Sequence, residues 1–141
     1  MRGLREALIA LVLAALSGAT GASTSLPSPI YFARYSDSLS ERALEVLRVE
    51  WVRHLQVKPE WMEPTATLIG HADEEGDPKQ MQELSRRRAL AVLHALVSLG
   101  LRAEDFKIEA LGDTSRAVEE PGEAMAQWNR RVELYWPMRK K

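Results

Sequence analysis

The sequence predicts an α+β domain of two layers, a single mixed β-sheet with helices over one face, in the order βαβαβ, a short helix, then β. Three observations predict it. Segments whose apolar residues recur every three to four positions alternate with short segments of period two. The period-two segments are brief and half polar, so each strand buries one face only. Proline or glycine stands near most changes of period. The 141 residues suffice for one domain with a modest core.

The elements follow in order. Residues 1–22 read as a secretory signal peptide: Arg2 and Arg5 form a charged start, Ala7 to Leu16 an apolar run, and Ser17 onward a small-residue cleavage zone. That run is too short to cross a bilayer, which takes about 20 residues. Residues 23–28, small and proline-containing, read as a linker, residues 29–137 as the domain and 138–141 as a frayed tail. Ile30, Tyr31 and Phe32 form the first β-prone run. Ser38 followed by Glu41 is a capping-box signature for a helix carrying Leu44, Leu47, Trp51 and Leu55. Pro59 and Pro64 bracket a break, and Thr65 to Ile69 is a second strand ending at Gly70.

Asp77, Pro78 and Gln80 supply an N-cap, a first-turn proline and an N3 partner for the second helix, which Gly100 ends. Phe106 to Leu111 alternates as a third strand, Gly112 to Ser115 turns, and Pro121 to Trp128 suggests a short helix. Val132, Leu134 and Trp136 alternate with Arg131, Glu133 and Tyr135 in a closing strand. Trp51, Trp61, Trp128 and Trp136 read as core and rim packing rather than a sugar-stacking platform, with Trp61 the one expected to be exposed.

Composition excludes several function classes. Without residues 1–22 the chain has 17 Lys and Arg against 19 Asp and Glu, a balance with no general attraction for nucleic acid or anionic lipid. There is no cysteine, hence no disulfide framework and no site for a lipoprotein anchor. The mature chain is expected to be soluble, with no transmembrane segment. No Ser/His/Asp or Cys/His set can be assembled, so catalysis is not expected. His71 and Asp73 lack metal-ligand spacing to any further donor, so neither a metal nor another cofactor is expected.

Arg88 is the anomaly. On a helical projection Met81, Leu84, Ala91, Val92, Ala95, Leu96 and Leu99 form one apolar arc, and Arg88 falls in its middle, while Glu83, Arg86, Arg87 and His94 lie opposite. Glu83 and Arg87 are spaced as a supporting pair. A guanidinium does not shed its proton and needs an anion when buried. Asp73 is the candidate anion: alone, the two residues read either as an internal ion pair or as two halves of a ligand site.

The stretch from Leu68 to Leu96 resembles the OmpA-like C-terminal domain, the peptidoglycan-binding module also found in peptidoglycan-associated lipoproteins and flagellar stator proteins. Gly70, His71 and Asp73 match its turn; Leu84, Ser85, Arg88, Ala89, Val92 and Leu96 match its helix without a gap. Ile30-Tyr31-Phe32, Leu111-Gly112-Asp113 and Asn129-Arg130-Arg131-Val132-Glu133 extend the match over roughly residues 28–136. Four places depart from the pattern: Met81 for asparagine, Ala72 for threonine, Ala33-Arg34-Tyr35 for Asp-Phe-Asp, and Arg116 for proline.

The resemblance implies non-covalent binding of peptidoglycan in the periplasm of a diderm bacterium, associated with the outer membrane or the wall. Asp73 would take the ammonium and Arg88 the carboxylate of meso-diaminopimelate in the stem peptide. Ala72, Met81, Leu84 and Arg130 would support the site, and helix N–H groups near Asp77 to Gln80 would lie close to it. The departures motivate a rival expectation, a relative of this fold that has lost wall binding and joins other envelope proteins as an interaction module.

Overall fold

The computed structural model describes residues 27–56, 65–119 and 122–136. The expected signal peptide, most of the linker, the Pro59–Pro64 break with Trp61, and the tail lie outside the described residues.

The strands are β1 (Ile30–Tyr31), β2 (Ala66–Gly70), β3 (Phe106–Ala110) and β4 (Arg131–Tyr135), in one sheet of order β1-β4-β2-β3. β2 and β3 are parallel, and β4 runs antiparallel to both β1 and β2. The mixed sheet is as expected. Leu68 sits in the central strand, paired with Ile108 on one side and Leu134 on the other, and with Ile30 and Val132 these side chains form the inner face. Helices cover that face, with Trp51, Leu47, Val92 and Leu96 fully buried against it.

The first helical stretch starts later than the sequence suggests. Its N-cap is Ser40, not Ser38: the Ser40 hydroxyl accepts the Ala43 N–H at 3.1 Å, whereas the Ser38 N–H is held by Ser36. It comprises α1 (Glu41–Val46), a π-helical turn (Leu47–Trp51) and α2 (Val52–Gln56). Leu44 is exposed and Ala43 is buried in its place. Ala43, Leu47 and Trp51 are four apart, a spacing that drifts around an α-helix, and the wider π turn holds them on one side.

α3 (Pro78–Ser98) is the long helix, 21 residues, opened by Asp77 with the full capping box to Gln80. Its buried side is Met81, Leu84, Ser85, Arg88, Ala89, Val92 and Leu96. Arg86, Arg87, Glu83 and His94 face water as expected, but Arg87 pairs with Asp37 at 3.3 Å rather than with Glu83.

Two polar clips and one glycine fix how α3 lies on the sheet. A Cβ at Gly70 would stand 2.0 Å from the Ser85 carbonyl oxygen, so only glycine lets β2 end against the helix backbone. Ser85 donates its hydroxyl to Gln82 and accepts the Gly112 N–H at 3.0 Å, while the Gln82 amide donates to the Ala110 carbonyl at 2.7 Å. This docking brings Arg88 over the ends of β1 and β2. α4 (Glu123–Ala126), continued by a 3₁₀ turn (Gln127–Asn129), is the expected short helix, and it leads into β4. Among the described residues no helix is long and apolar enough to cross a membrane.

Candidate functional site

Arg88 is fully buried, in the middle of the docked face of α3. Its guanidinium is satisfied on every side. Nε donates to the Ser36 carbonyl at 2.8 Å, Nη1 to the His71 carbonyl at 3.1 Å and to Glu74 Oε2 at 3.3 Å, and Nη2 to the Ala33 carbonyl at 3.2 Å and to Glu74 Oε1. The Phe32 ring lies beneath it, 5.4 Å from the guanidinium carbon to the ring centre. Five donors meet five acceptors, and the carboxylate among them is Glu74, also sealed from solvent. Asp73, the anion expected from the sequence, is not the direct partner. The turn after β2 instead aims the next side chain inward.

Glu74 is held from two further directions. The Asp73 N–H donates to its Oε2 at 2.9 Å and the Tyr35 N–H to its Oε1 at 3.3 Å. Tyr35 has φ 54°, a left-handed conformation uncommon outside glycine, and its hydroxyl donates to the Glu75 carbonyl at 3.2 Å. The β1–α1 connection is thereby tied to the β2–α3 turn by backbone as well as by charge.

Asp73 lies on the other side of the same peptide. Its Oδ2 accepts the Asn129 amide at 2.7 Å and its Oδ1 lies 3.0 Å from Arg116 Nη2. Asn129, buried, also exchanges two hydrogen bonds with the Val118 backbone, which fixes the loop carrying Arg116. Beyond it, His71 Nε2 stands 3.2 Å from Glu133 Oε2, and Arg131 Nε donates to Glu133 Oε1 at 2.7 Å. The hydrogen bond with His71, chiefly, and the Arg131 guanidinium hold the Glu133 carboxyl down to about 2.

The supporting residues divide. Ala72, Met81 and Leu84 pack together as a small buried cluster beside the Asp73–Glu74 turn. Arg130 is half-buried with its Nε unpaired among the described residues. The first-turn N–H of Gln80 is already taken by Asp77 at 2.8 Å. A cavity of about 540 Å³ opens next to the turn, lined by Tyr35, Glu75, Met81, Leu84 and Arg87 among others, but not by Asp73 or Arg88. Trp51 and Trp136 are buried, whereas Trp128 is 46% exposed. It is carried by the short 3₁₀ turn, whose next residue, Asn129, is buried.

Glu74, Tyr35 and Asn129 were not legible as site residues, and Arg116 was legible only as a departure from the family pattern. For Glu74 the signal was present: a second acid beside Asp73, one residue nearer to Arg88 in sequence.

Comparison with known proteins agrees with this architecture. The OmpA family model matches residues 31–130. The chain is similar to the peptidoglycan-associated lipoprotein of Burkholderia pseudomallei, with 26% identity, a TM-score of 0.68, and coverage of 77% of this chain and 89% of that one. It is similar in fold to the C-terminal domain of Helicobacter pylori MotB (20% identity, TM-score 0.69, coverage 79% and 84%). The OmpA-like domain of FopA1 from Francisella tularensis shares the fold as well (17% identity, TM-score 0.60, coverage 79% and 74%). No curated protein sequence matches the chain.

Proposed function

Since the chain belongs to the OmpA family, we propose that it binds peptidoglycan non-covalently in the cell envelope, with Asp73 and Arg88 serving the two charges of diaminopimelate in the stem peptide. One observation carries the assignment of the residues. Glu74 Oε2 accepts both the Asp73 N–H and Arg88 Nη1, so the family's turn and helix motifs converge on a single carboxylate position. Asp73, the adjacent residue of the turn, carries the second carboxylate, which meets Asn129 and Arg116 and is the proposed acceptor of the ligand's ammonium. A planar guanidinium fork in a dry setting is suited to a carboxylate, and charge-assisted bonds there are worth ~1.5–3 kcal/mol each.

The chain is read as a binding domain rather than an enzyme, exported by residues 1–22 and retained on the wall by avidity, because the polymer presents many copies of one ligand. Residues 29–137 form the domain, placed in the periplasm. Sedimentation with insoluble peptidoglycan sacculi tests this. Wild type is expected in the pellet, and Asp73→Asn and Arg88→Lys, each with native circular dichroism, largely in the supernatant. Wild type that pellets no better than an unrelated protein, or variants that pellet as well as wild type, overturn the proposal.

A second reading, an interaction module for other envelope proteins without wall binding, is favoured by one observation. Both charges already have internal partners, Glu74 for Arg88 and Arg116 for Asp73. The same sedimentation decides between them.

A further inference from the structure

We infer that Arg88 and two backbone N–H groups form a receptor for a carboxylate, and that the chain fills this receptor with its own Glu74, a tethered competitor of the ligand. The inference rests on the wall-binding proposal only for the identity of the ligand. The receptor itself is visible in the contacts. Four donors converge on the Glu74 carboxylate: Arg88 Nη1 and Nη2, the Tyr35 N–H and the Asp73 N–H. Two of them are backbone groups on separate loops, and the third element, α3, is fixed by the Gly70 contact and the Ser85 clip. The cradle is therefore built by the scaffold, whereas the carboxylate in it comes from a side chain on the turn between β2 and α3.

Arg116 repeats the arrangement on the other charge. Its guanidinium lies 3.0 Å from Asp73 Oδ1 and stays one-third exposed, so Asp73 carries an internal cation as Arg88 carries an internal anion. Glu74 and Arg116 together supply one negative and one positive group, the charges of an amino-acid zwitterion, to the two residues proposed to bind one. The cavity that Tyr35, Met81 and Leu84 line lies directly beside the cradle, and Tyr35 contributes to both. Neither Arg88 nor Glu74 lines that cavity and both side chains are sealed, so in this proposal a ligand must displace the Glu74 side chain to meet Arg88.

A tethered group acts at millimolar or higher effective concentration, and a site open only part of the time binds with affinity reduced by its open fraction. Removing the Glu74 carboxylate should therefore strengthen ligand binding, although the same change costs the fold an ion pair. Those opposite signs separate a competitor from a merely structural partner.

The test compares Glu74→Ala and Glu74→Gln with wild type in two measurements. First, thermal unfolding is followed in sodium acetate and in sodium chloride of equal ionic strength, and again with meso-diaminopimelate. Acetate should raise the midpoint of Glu74→Ala, or refold it if it is unfolded, and leave wild type unmoved. Glu74→Gln, whose amide still fills the cradle, should respond less. Acetate that stabilises Glu74→Ala no more than wild type, an unfolded variant that acetate does not refold included, overturns the receptor. Second, affinity for sacculi should rise ~10-fold in Glu74→Ala over wild type, and by a smaller factor in Arg116→Ala. Equal or weaker pelleting of Glu74→Ala beside a pelleting wild type overturns the competition. Acetate rescue without pelleting of any form supports the carboxylate receptor and overturns wall binding instead.

Discussion

Adjacent carboxylates on one turn meet two arginines under opposite conditions. The Glu74 and Arg88 side chains are both fully buried, whereas Arg116 is 33% exposed where it meets Asp73, itself 7% exposed. The chemistry of the two pairs is the same and their surroundings are not. In the sealed pair each charge has lost its water and depends on the other; in the half-open pair water can replace the arginine. Burial thus makes one pair costly to break from one side and leaves the other adjustable. The proposed site spans that difference, with its anion receptor deep and its cation receptor near the surface.

Breaking the sealed pair from one side should have the largest effect. Arg88→Leu leaves the Glu74 carboxylate buried with two N–H donors and no cation, and should lower unfolding free energy by ~3–5 kcal/mol. Adding Glu74→Leu should recover a large part of that loss, because a well-packed apolar pair often replaces a buried ion pair without net cost. Urea midpoints for the two singles and the double form a cycle. A double variant as unstable as Arg88→Leu would break the comparison, since the loss would then come from packing alone.

The next effect concerns the surface that holds Arg88 in place. Gly70→Ala puts a methyl 2.0 Å from the Ser85 carbonyl oxygen, a backbone atom that no rotamer can move. α3 must shift away from β2, at a cost of ~1–3 kcal/mol or more. The shift should also loosen the Ser85–Gly112 clip, and amide exchange at Gly112 should quicken. An unchanged midpoint would mean that the helix is not fixed by this contact.

Much of the fold was legible because its signals are local. The Asp77-Pro78-Gln80 cap, the Gly100 stop and the alternation of Val132, Leu134 and Trp136 each follow from a few neighbouring residues, and the structure has all three. The position of Arg88 on a buried face was legible for the same reason. Its partner was not. Asp73 and Glu74 are consecutive, and which of them points inward depends on the turn geometry and on Tyr35, some forty residues away in sequence. Ser40 displacing Ser38 as the cap, and the π turn that exposes Leu44, were hidden likewise. Several hydroxyls and apolar residues satisfy the local pattern, and tertiary packing chooses among them.

The half-open pair should be much less costly to break. Arg116→Ala leaves Asp73 its Asn129 hydrogen bond at 2.7 Å, and water can approach the freed oxygen. The expected loss is ~0–1 kcal/mol, smaller still in high salt. A loss matching that of Arg88→Leu would show that exposure is not what separates the two pairs.

The smallest effect is a dependence on pH at the edge of the same polar seam. Glu133 is held from its ordinary value of 4.5 to about 2 by the hydrogen bond with His71 and by Arg131, so as acid is added the unfolded chain takes up the proton first. The stability this group contributes is complete above about pH 4.5 and is lost as pH falls towards 2. His54 acts earlier and in the same direction. Burial lowers its pKa below the usual 6.5, so below that pH the unfolded chain is protonated more readily than the folded one. Urea midpoints of wild type and Glu133→Gln should therefore differ most above pH 4.5 and converge towards pH 2, because a protonated Glu133 resembles the amide. Since Glu133 is 38% exposed, solvent screens the pair and the convergence should be modest. A gap that stays constant across this range would place the value of Glu133 in its packing against β2 rather than in its charge.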